Sequence, residues 1–291
     1  MRPGANPSRR SADKAGPPSR GLGREVRALL RERKKWLLPP LVLVLVLIGV
    51  GIFVSRTPVG VDYNQMGLYA LAAGRCDEAI EHYTKAIQRD PNRAEAYANR
   101  GNAYCIKGRY DEAIEDFTRA INLDPGSATA YLGRGGAYAN MGRHDQAVRN
   151  FSRAIELKPD LAEAYACRGK AYDVSGLYDL AIQDYTRTMQ LRGDDEKTCV
   201  NRGAAYSRKG QYDQAIRDFT RAIELKGDCA DAYNNRAVAY FYMKLYDRAW
   251  GDVKACRAAG GSPGPQLVKA LTEATGREEG PPTTTPAGRE P

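Results

Sequence analysis

Two histidines, six cysteines and a recurrent string of carboxylates are the side chains of this 291-residue sequence with catalytic chemistry in them. His82 and His144 lack a metal-ligand spacing to Cys, Asp or Glu, so neither starts a metal centre. Paired carboxylates can serve as general acid and base, and YDEAIEDF at residues 110–117 offers several. Its acidic positions recur with the helix period, which is the pattern of a solvated helix face. Glycines are plentiful, but none forms a G-x-x-x-x-G-K phosphate loop. With no nucleophile, metal set or phosphate loop in view, the chain is expected to be no enzyme and to use no cofactor and no metal.

The same residues make sense as parts of a repeat. NRGNAYCIKGRYDEAIEDFTRAINLDP at 99–125 returns as NRGAAYSRKGQYDQAIRDFTRAIELKG at 201–227, an offset of 102 residues (201 − 99). A period of 34 divides that offset, and units then begin at Gly60, Ala94, Ala128, Ala162, Glu196 and Ala230. Position 8 of the unit is Gly67, Gly101, Gly135, Gly169, Gly203 and Ala237, and position 20 is alanine throughout. Position 24 is Tyr83, Phe117, Phe151, Tyr185, Phe219 and Val253. Positions 4, 7, 8 and 11 mark one face of a first helix, A; positions 17, 20, 24 and 27 mark one face of a second, B. Gly74, Gly108, Gly142, Gly176 and Gly210 fall between them, where a helix cap needs a left-handed residue. Small residues at 8 and 20 let the helices approach, rings fill the remaining space, and Pro91, Pro125 and Pro159 end helix B.

This pattern resembles the tetratricopeptide repeat family over residues 60–263, with departures at Thr188, Gly193, Gly227 and through the sixth unit. The resemblance implies an all-α fold, a right-handed superhelical solenoid of six helix-turn-helix repeats (60–93, 94–127, 128–161, 162–195, 196–229 and 230–263). GPQLVKALTEATG at 264–276 places Leu267, Val268 and Leu271 at helical spacing and reads as a capping helix. The Pro-rich, polar residues 277–291 read as a disordered tail.

Charge is distributed unevenly. Residues 1–56 hold 12 of the 44 Lys and Arg but 3 of the 35 Asp and Glu, leaving 32 of each sign (44 − 12 and 35 − 3) for the remainder. The net +9 therefore gives the repeats no footprint for nucleic acid. WLLPPLVLVLVLIGVGIFVS at 36–55 carries no charge and has the length of a membrane span. Arg24, Arg27, Arg31, Arg33, Lys34 and Lys35 precede it and Arg56 follows, so the positive-inside rule keeps residues 1–35, a basic and partly disordered segment, in the cytoplasm. The expectation is a single-pass protein of a bacterial inner (cytoplasmic) membrane with extracytoplasmic repeats. A signal peptide is the competing reading, with Gly49-Val50-Gly51 a weak cleavage site; cleavage would release a soluble secreted carrier.

Arg100, Arg134, Arg168, Arg202 and Arg236 recur at position 7, and Asp116, Asn150, Asp184, Asp218 and Asp252 at position 23. Both members are missing together from the first unit, which has Met66 and His82, so the pair is read as a structural contact within each repeat. In an oxidising compartment, Cys76 and Cys105 lie nearly level on antiparallel helices and are the first candidates for a disulfide, with Cys229 and Cys256 a weaker pair. Cys256 equally suits a free thiol in a small-residue slot.

Positions 2, 5, 6, 9, 12 and 13 leave the packing face of helix A and form the expected concave surface. They supply Asn99, Asn102, Asn140, Lys170, Asp173, Lys197, Asn201, Arg208, Asn234, Asn235, Phe241 and Tyr242. Asn side chains can bond the main chain of an extended peptide, and aromatic rings supply anchors. Lys170, Lys197 and Arg208 favour an acidic segment. The Lys and Asn set with which some tetratricopeptide domains clamp a C-terminal carboxylate is interrupted here at Leu68, Thr129 and Gly133. The expected function is a membrane-anchored scaffold holding an extended peptide or protein partner in its groove. The alternative is a permanent accessory or regulatory subunit of a cell-envelope complex.

Overall fold

The structure, a computed structural model, describes residues 62–277. The segments expected at 1–35 and 36–55, and the tail beyond Arg277, lie outside the described residues. Among those described there are thirteen helices and no strand, and no helix is long and apolar enough to cross a membrane. The first three hairpins pair α1 (Tyr63–Ala72) with α2 (Cys76–Arg89), α3 (Ala94–Ile106) with α4 (Tyr110–Leu123), and α5 (Ala128–Asn140) with α6 (His144–Leu157). The next three pair α7 (Ala162–Val174) with α8 (Tyr178–Arg192), α9 (Glu196–Arg208) with α10 (Tyr212–Leu225), and α11 (Ala230–Tyr242) with α12 (Tyr246–Ala258). A lone α13 (Pro265–Thr275) closes the stack.

The turns follow from backbone chemistry. Gly108 adopts φ 72°, which lets its N–H reach the Cys105 carbonyl at 3.0 Å and the Arg109 N–H reach that of Tyr104 at 2.9 Å. Lys244 holds the same left-handed slot in the sixth unit with φ 60°, the one non-glycine residue to do so among those described. Side-chain caps start three of the A helices: Asp62 accepts from the Asn64 N–H, Ser127 from that of Ala130, and Asp195 from that of Thr198.

Each of the first five hairpins closes on a ring at position 24, and the sixth on Val253. Tyr83, Phe117, Phe151, Tyr185 and Phe219 are fully buried, and a Cβ on Gly203 would stand 2.7 Å from the Phe219 ring. Glycine at position 8 is therefore the space the ring occupies. Consecutive A helices touch one another, whereas consecutive B helices do not meet. The A helices thus line the inner side of the stack, and the partner-facing positions expected on them stand on that side.

The capping helix is a shortened seventh helix A. In the 34-residue register Leu267 and Leu271 take positions 4 and 8, and both are buried. Among the described residues no helix B follows to bring a ring to position 8, and leucine is accommodated there. Trp250 Nε1 donates to Thr275 Oγ1 at 3.3 Å. Arg277, assigned by sequence to the disordered tail, instead donates to Asp247 Oδ1 at 2.8 Å. Lys107 with Asp77 and Lys209 with Asp179 make the same contact 30 residues apart, so the repeat register runs on to Arg277.

Candidate functional site

Two sets of polar side chains leave helix A, and they do different work. The first is a ladder in the seam between units. Arg100 donates from Nε and Nη2 to Asp116 at 2.7 and 2.8 Å, and from Nη1 to Thr84 of the preceding unit at 3.0 Å. Arg168 bonds Asp184 and Ser152 in the same way, Arg202 bonds Asp218 and Thr186, and Arg236 bonds Asp252 and Thr220. Arg134 repeats the motif with a neutral partner, Asn150, at 2.8 Å, and Thr118 at 3.1 Å. Arg100 also lies 5.8 Å from the centroids of both Tyr97 and Tyr104. The carboxylates are buried, so this is the expected structural pair, in bidentate form. Sequence reasoning missed its third member: a hydroxyl at position 25 that ties each unit to the next. The signal was present, since Thr84, Thr118, Ser152, Thr186 and Thr220 occur in the five units followed by an Arg, and Lys254 in the one that is not.

The second set faces the groove. Asn102, Lys170, Lys197 and Asn201 are exposed, and neither lysine makes a salt bridge with another described residue. Asn140 is exposed and donates to its own helix at the Gly136 carbonyl, 3.0 Å away. Asn99 is half-buried, its amide donating to Asn64 Oδ1 at 3.0 Å. Asn234 serves the fold: its Oδ1 accepts the Gly264 N–H at 2.9 Å and so ties down the approach to α13, while its amide faces Asn235 at 3.5 Å. Phe241 and Tyr242 join a cluster in which Tyr212 and Tyr242 stack at 5.3 Å and Phe241 meets Tyr242 edge-on at 5.7 Å. The expected basic trio is reduced to two. Arg208 donates to Asp173 of the preceding unit, and that carboxylate offsets its charge. The Asp173 hydrogen bond also raises the Arg208 guanidinium further above its usual range.

Two cavities open on this face. One of ≈ 200 Å³ lies between units three and four, lined among others by Gly136, Asn140, His144, Cys167, Lys170 and Val174. One of ≈ 130 Å³ lies between units five and six, lined by Ala204, Ser207, Arg208, Phe219, Asn235 and Val238. Of these residues, sequence reasoning selected Asn140, Lys170, Arg208 and Asn235; the small residues that create the space carried no chemical signal. Among the described residues no group of His, Cys, Asp or Glu gathers as a metal site.

Neither expected disulfide is formed, because all six cysteines are free thiols. Cys76 and Cys105 do lie on level helix ends, as the Lys107–Asp77 ion pair shows. Their side chains diverge: Cys76 turns back to the Gly74 carbonyl at 3.8 Å, and Cys105 packs into the cluster around Phe117. Cys229 donates to Glu196 at the start of its own unit at 3.2 Å, while Cys256 is buried beside Gly261. Burial pushes the thiols of Cys105, Cys167 and Cys199 up to about 11.

A stack of helical hairpins with a groove on its inner helices defines an α-solenoid of the repeat class. Family models described as tetratricopeptide repeat match residues 64–128 and 196–229, and one described as TPR repeat matches 137–173. No curated protein matches the chain. The solved structure of MamA is 32% identical with a TM-score of 0.52, covering 55% of this chain and 94% of that one. That of YrrB, described as a TPR protein with an unusual peptide-binding site, is 24% identical with a TM-score of 0.57, covering 67% and 98%. A tetratricopeptide repeat protein from Parabacteroides merdae is 21% identical with a TM-score of 0.59, covering 73% and 84%. The chain belongs to the tetratricopeptide repeat family.

Proposed function

We propose that the protein is an interaction scaffold that holds an extended segment of a protein partner along its A helices. One observation carries this reading. The polar groups in the seam are consumed by the ladder, whereas those on the inner face include Asn102, Lys170, Lys197 and Asn201, exposed and outside every ion pair among the described residues. Amides there can bond a peptide main chain, and the cavities can take its side chains. The two lysines favour an acidic segment, and the aromatic cluster at Tyr242 provides an anchor at one end. Residues 36–55 supply the membrane span in this reading, with the repeats outside the cytoplasm. The peptide-binding site described for YrrB supports the same class of activity.

A photo-crosslinking amino acid at Asn102 or Asn201 tests the groove, with the exposed B-helix residue Arg119 as control. Adducts to one segment of a partner are expected from both groove sites and not from the control. Equal yields from all three would remove the groove from the account. A reporter fused after Arg277 tests the topology: activity outside the cytoplasm, in a full-length membrane-bound product, is expected.

A further inference from the structure

The repeats act as controls for one another, and unit four is the one with apolar residues at both positions 16 and 19 of its turn, unit six having Leu245 at 16 alone. Positions 16 and 19 carry the pairs Arg75–Glu78 and Arg109–Glu112 in the first two units, ion-paired at 2.7 and 2.6 Å. Unit four places Leu177 and Leu180 there, with 49% and 40% of their surface exposed. Val174, three residues before Leu177, is 59% exposed and also lines the ≈ 200 Å³ cavity. An apolar edge thus runs on from the cavity out of the groove.

The cavity has a particular make-up. Gly136 at position 9 and Ala139 at position 12 open it, where unit one carries Leu68 and Leu71. His144 replaces the tyrosine that units two, four, five and six have at position 17, and its Nδ1 is buried without a hydrogen bond. Phe151, Ala171 and Val174 supply apolar walls, and Lys170 stands at the rim as its one charged lining residue. The next interface along has no such space among the cavities described, and there Arg208 reaches back to Asp173. Sites for drug-sized molecules run to roughly 300–1,000 Å³, so this one fits a single side chain.

Resting on the groove reading, we propose that this cavity is the specificity pocket. It takes one bulky aliphatic or aromatic side chain of an extended partner segment whose neighbouring residue is acidic and faces Lys170. The segment then leaves the groove over Val174, Leu177 and Leu180. The apolar walls select the anchor, the lysine selects the carboxylate, and the leucines replace an ion pair that would otherwise keep this edge hydrated.

The test uses the full-length chain and a displayed library of random peptides. Enriched peptides are expected to carry Leu, Ile, Met or Phe within two residues of Asp or Glu. Gly136→Leu, which gives the slot the residue of unit one, is expected to weaken the synthesised consensus peptide about tenfold, the effect of losing one buried anchor. Leu177→Arg with Leu180→Glu, which restores the ion pair of unit two, is expected to weaken it a few-fold. Thermal unfolding should show no loss of stability in either. If Gly136→Leu does not fold, His144→Tyr fills the same pocket with the residue of four other units. Peptides that lack the apolar–acidic pattern, or that bind Gly136→Leu unchanged while Lys170→Glu with Lys197→Glu abolishes binding, overturn the pocket and leave the groove standing. No enrichment, or binding indifferent to every groove substitution, overturns both. Self-association that Leu177→Arg with Leu180→Glu abolishes would give the edge to a second copy of the chain and overturn the exit path.

Discussion

The seam between units and the groove on their inner side draw on the same helices and obey opposite rules. In the seam, position 7 is arginine in five consecutive units, and each guanidinium reaches position 23 of its own unit and position 25 of the one before. In the groove, position 9 runs Leu68, Asn102, Gly136, Lys170, Ala204 and Val238. Every seam must satisfy one docking geometry, so its chemistry repeats. Each groove slot meets a different part of whatever lies along it, so its chemistry varies. Repetition marks the scaffold, and departure from repetition marks the candidate site.

The largest effect that tests this contrast is Phe219→Ala in the seam. Removing a fully buried ring is expected to cost about 3–5 kcal/mol in urea or thermal unfolding. A loss near zero would mean that position 24 is not core. Asp218→Ala comes next. It strands Arg202 in a half-buried site, for a cost of about 3 kcal/mol, and the double variant with Arg202→Ala should cost less than the two singles combined. Additive losses in that cycle would dissolve the rung.

Smaller again is the cap of α9. Asp195→Ala is expected to cost about 1 kcal/mol. Burial alone would raise the Asp195 carboxyl, but hydrogen bonds from Thr198 and the charge of Arg192 bring it below its ordinary value of 3.8. A carboxyl lowered on folding stabilises above its unfolded value and loses that contribution as pH falls through the folded one. The difference between wild type and Asp195→Ala should therefore be constant from neutral pH to about pH 5 and shrink below the ordinary 3.8. A difference that grows in acid would reverse the assignment. The smallest stability effect belongs to the groove: Asn102→Ala and Asn201→Ala should each change unfolding by less than about 0.5 kcal/mol while weakening partner capture. A large stability loss from either would move that residue from the groove to the scaffold.

Much of the fold was legible because it is periodic. The ring at position 24, the glycine at 8 and the Arg–Asp pair recur at fixed spacing, and repetition separates a packing slot from a catalytic residue without any coordinates. What stayed illegible depends on how one unit leans on the next. Arg208 looked like a charge available to a ligand until the stack brought Asp173 of the neighbouring unit beneath it. Cys76 and Cys105 are level, as antiparallel geometry requires, but level backbones do not decide where side chains point. Arg277 looked like tail because its neighbours in sequence are polar and Pro-rich, whereas its partner Asp247 lies 30 residues back. Ala139 and Gly136 were passed over because a cavity is made by side chains that are small.

The backward reach of each arginine gives the domain a modular length. Thr118 meets Arg134 by the geometry with which Ser152 meets Arg168, so excising residues 128–161 would leave Thr118 facing Arg168 with the rung intact. Whole units can be removed or copied in the interior without leaving an orphaned donor or acceptor in the ladder. Loss of half a unit would strand a guanidinium at the break. Only the ends are unique, since unit one supplies a hydroxyl but no arginine and α13 supplies neither. Genetic change in such a gene is tolerated in steps of a whole repeat, and each step shortens or lengthens the groove without retuning the core.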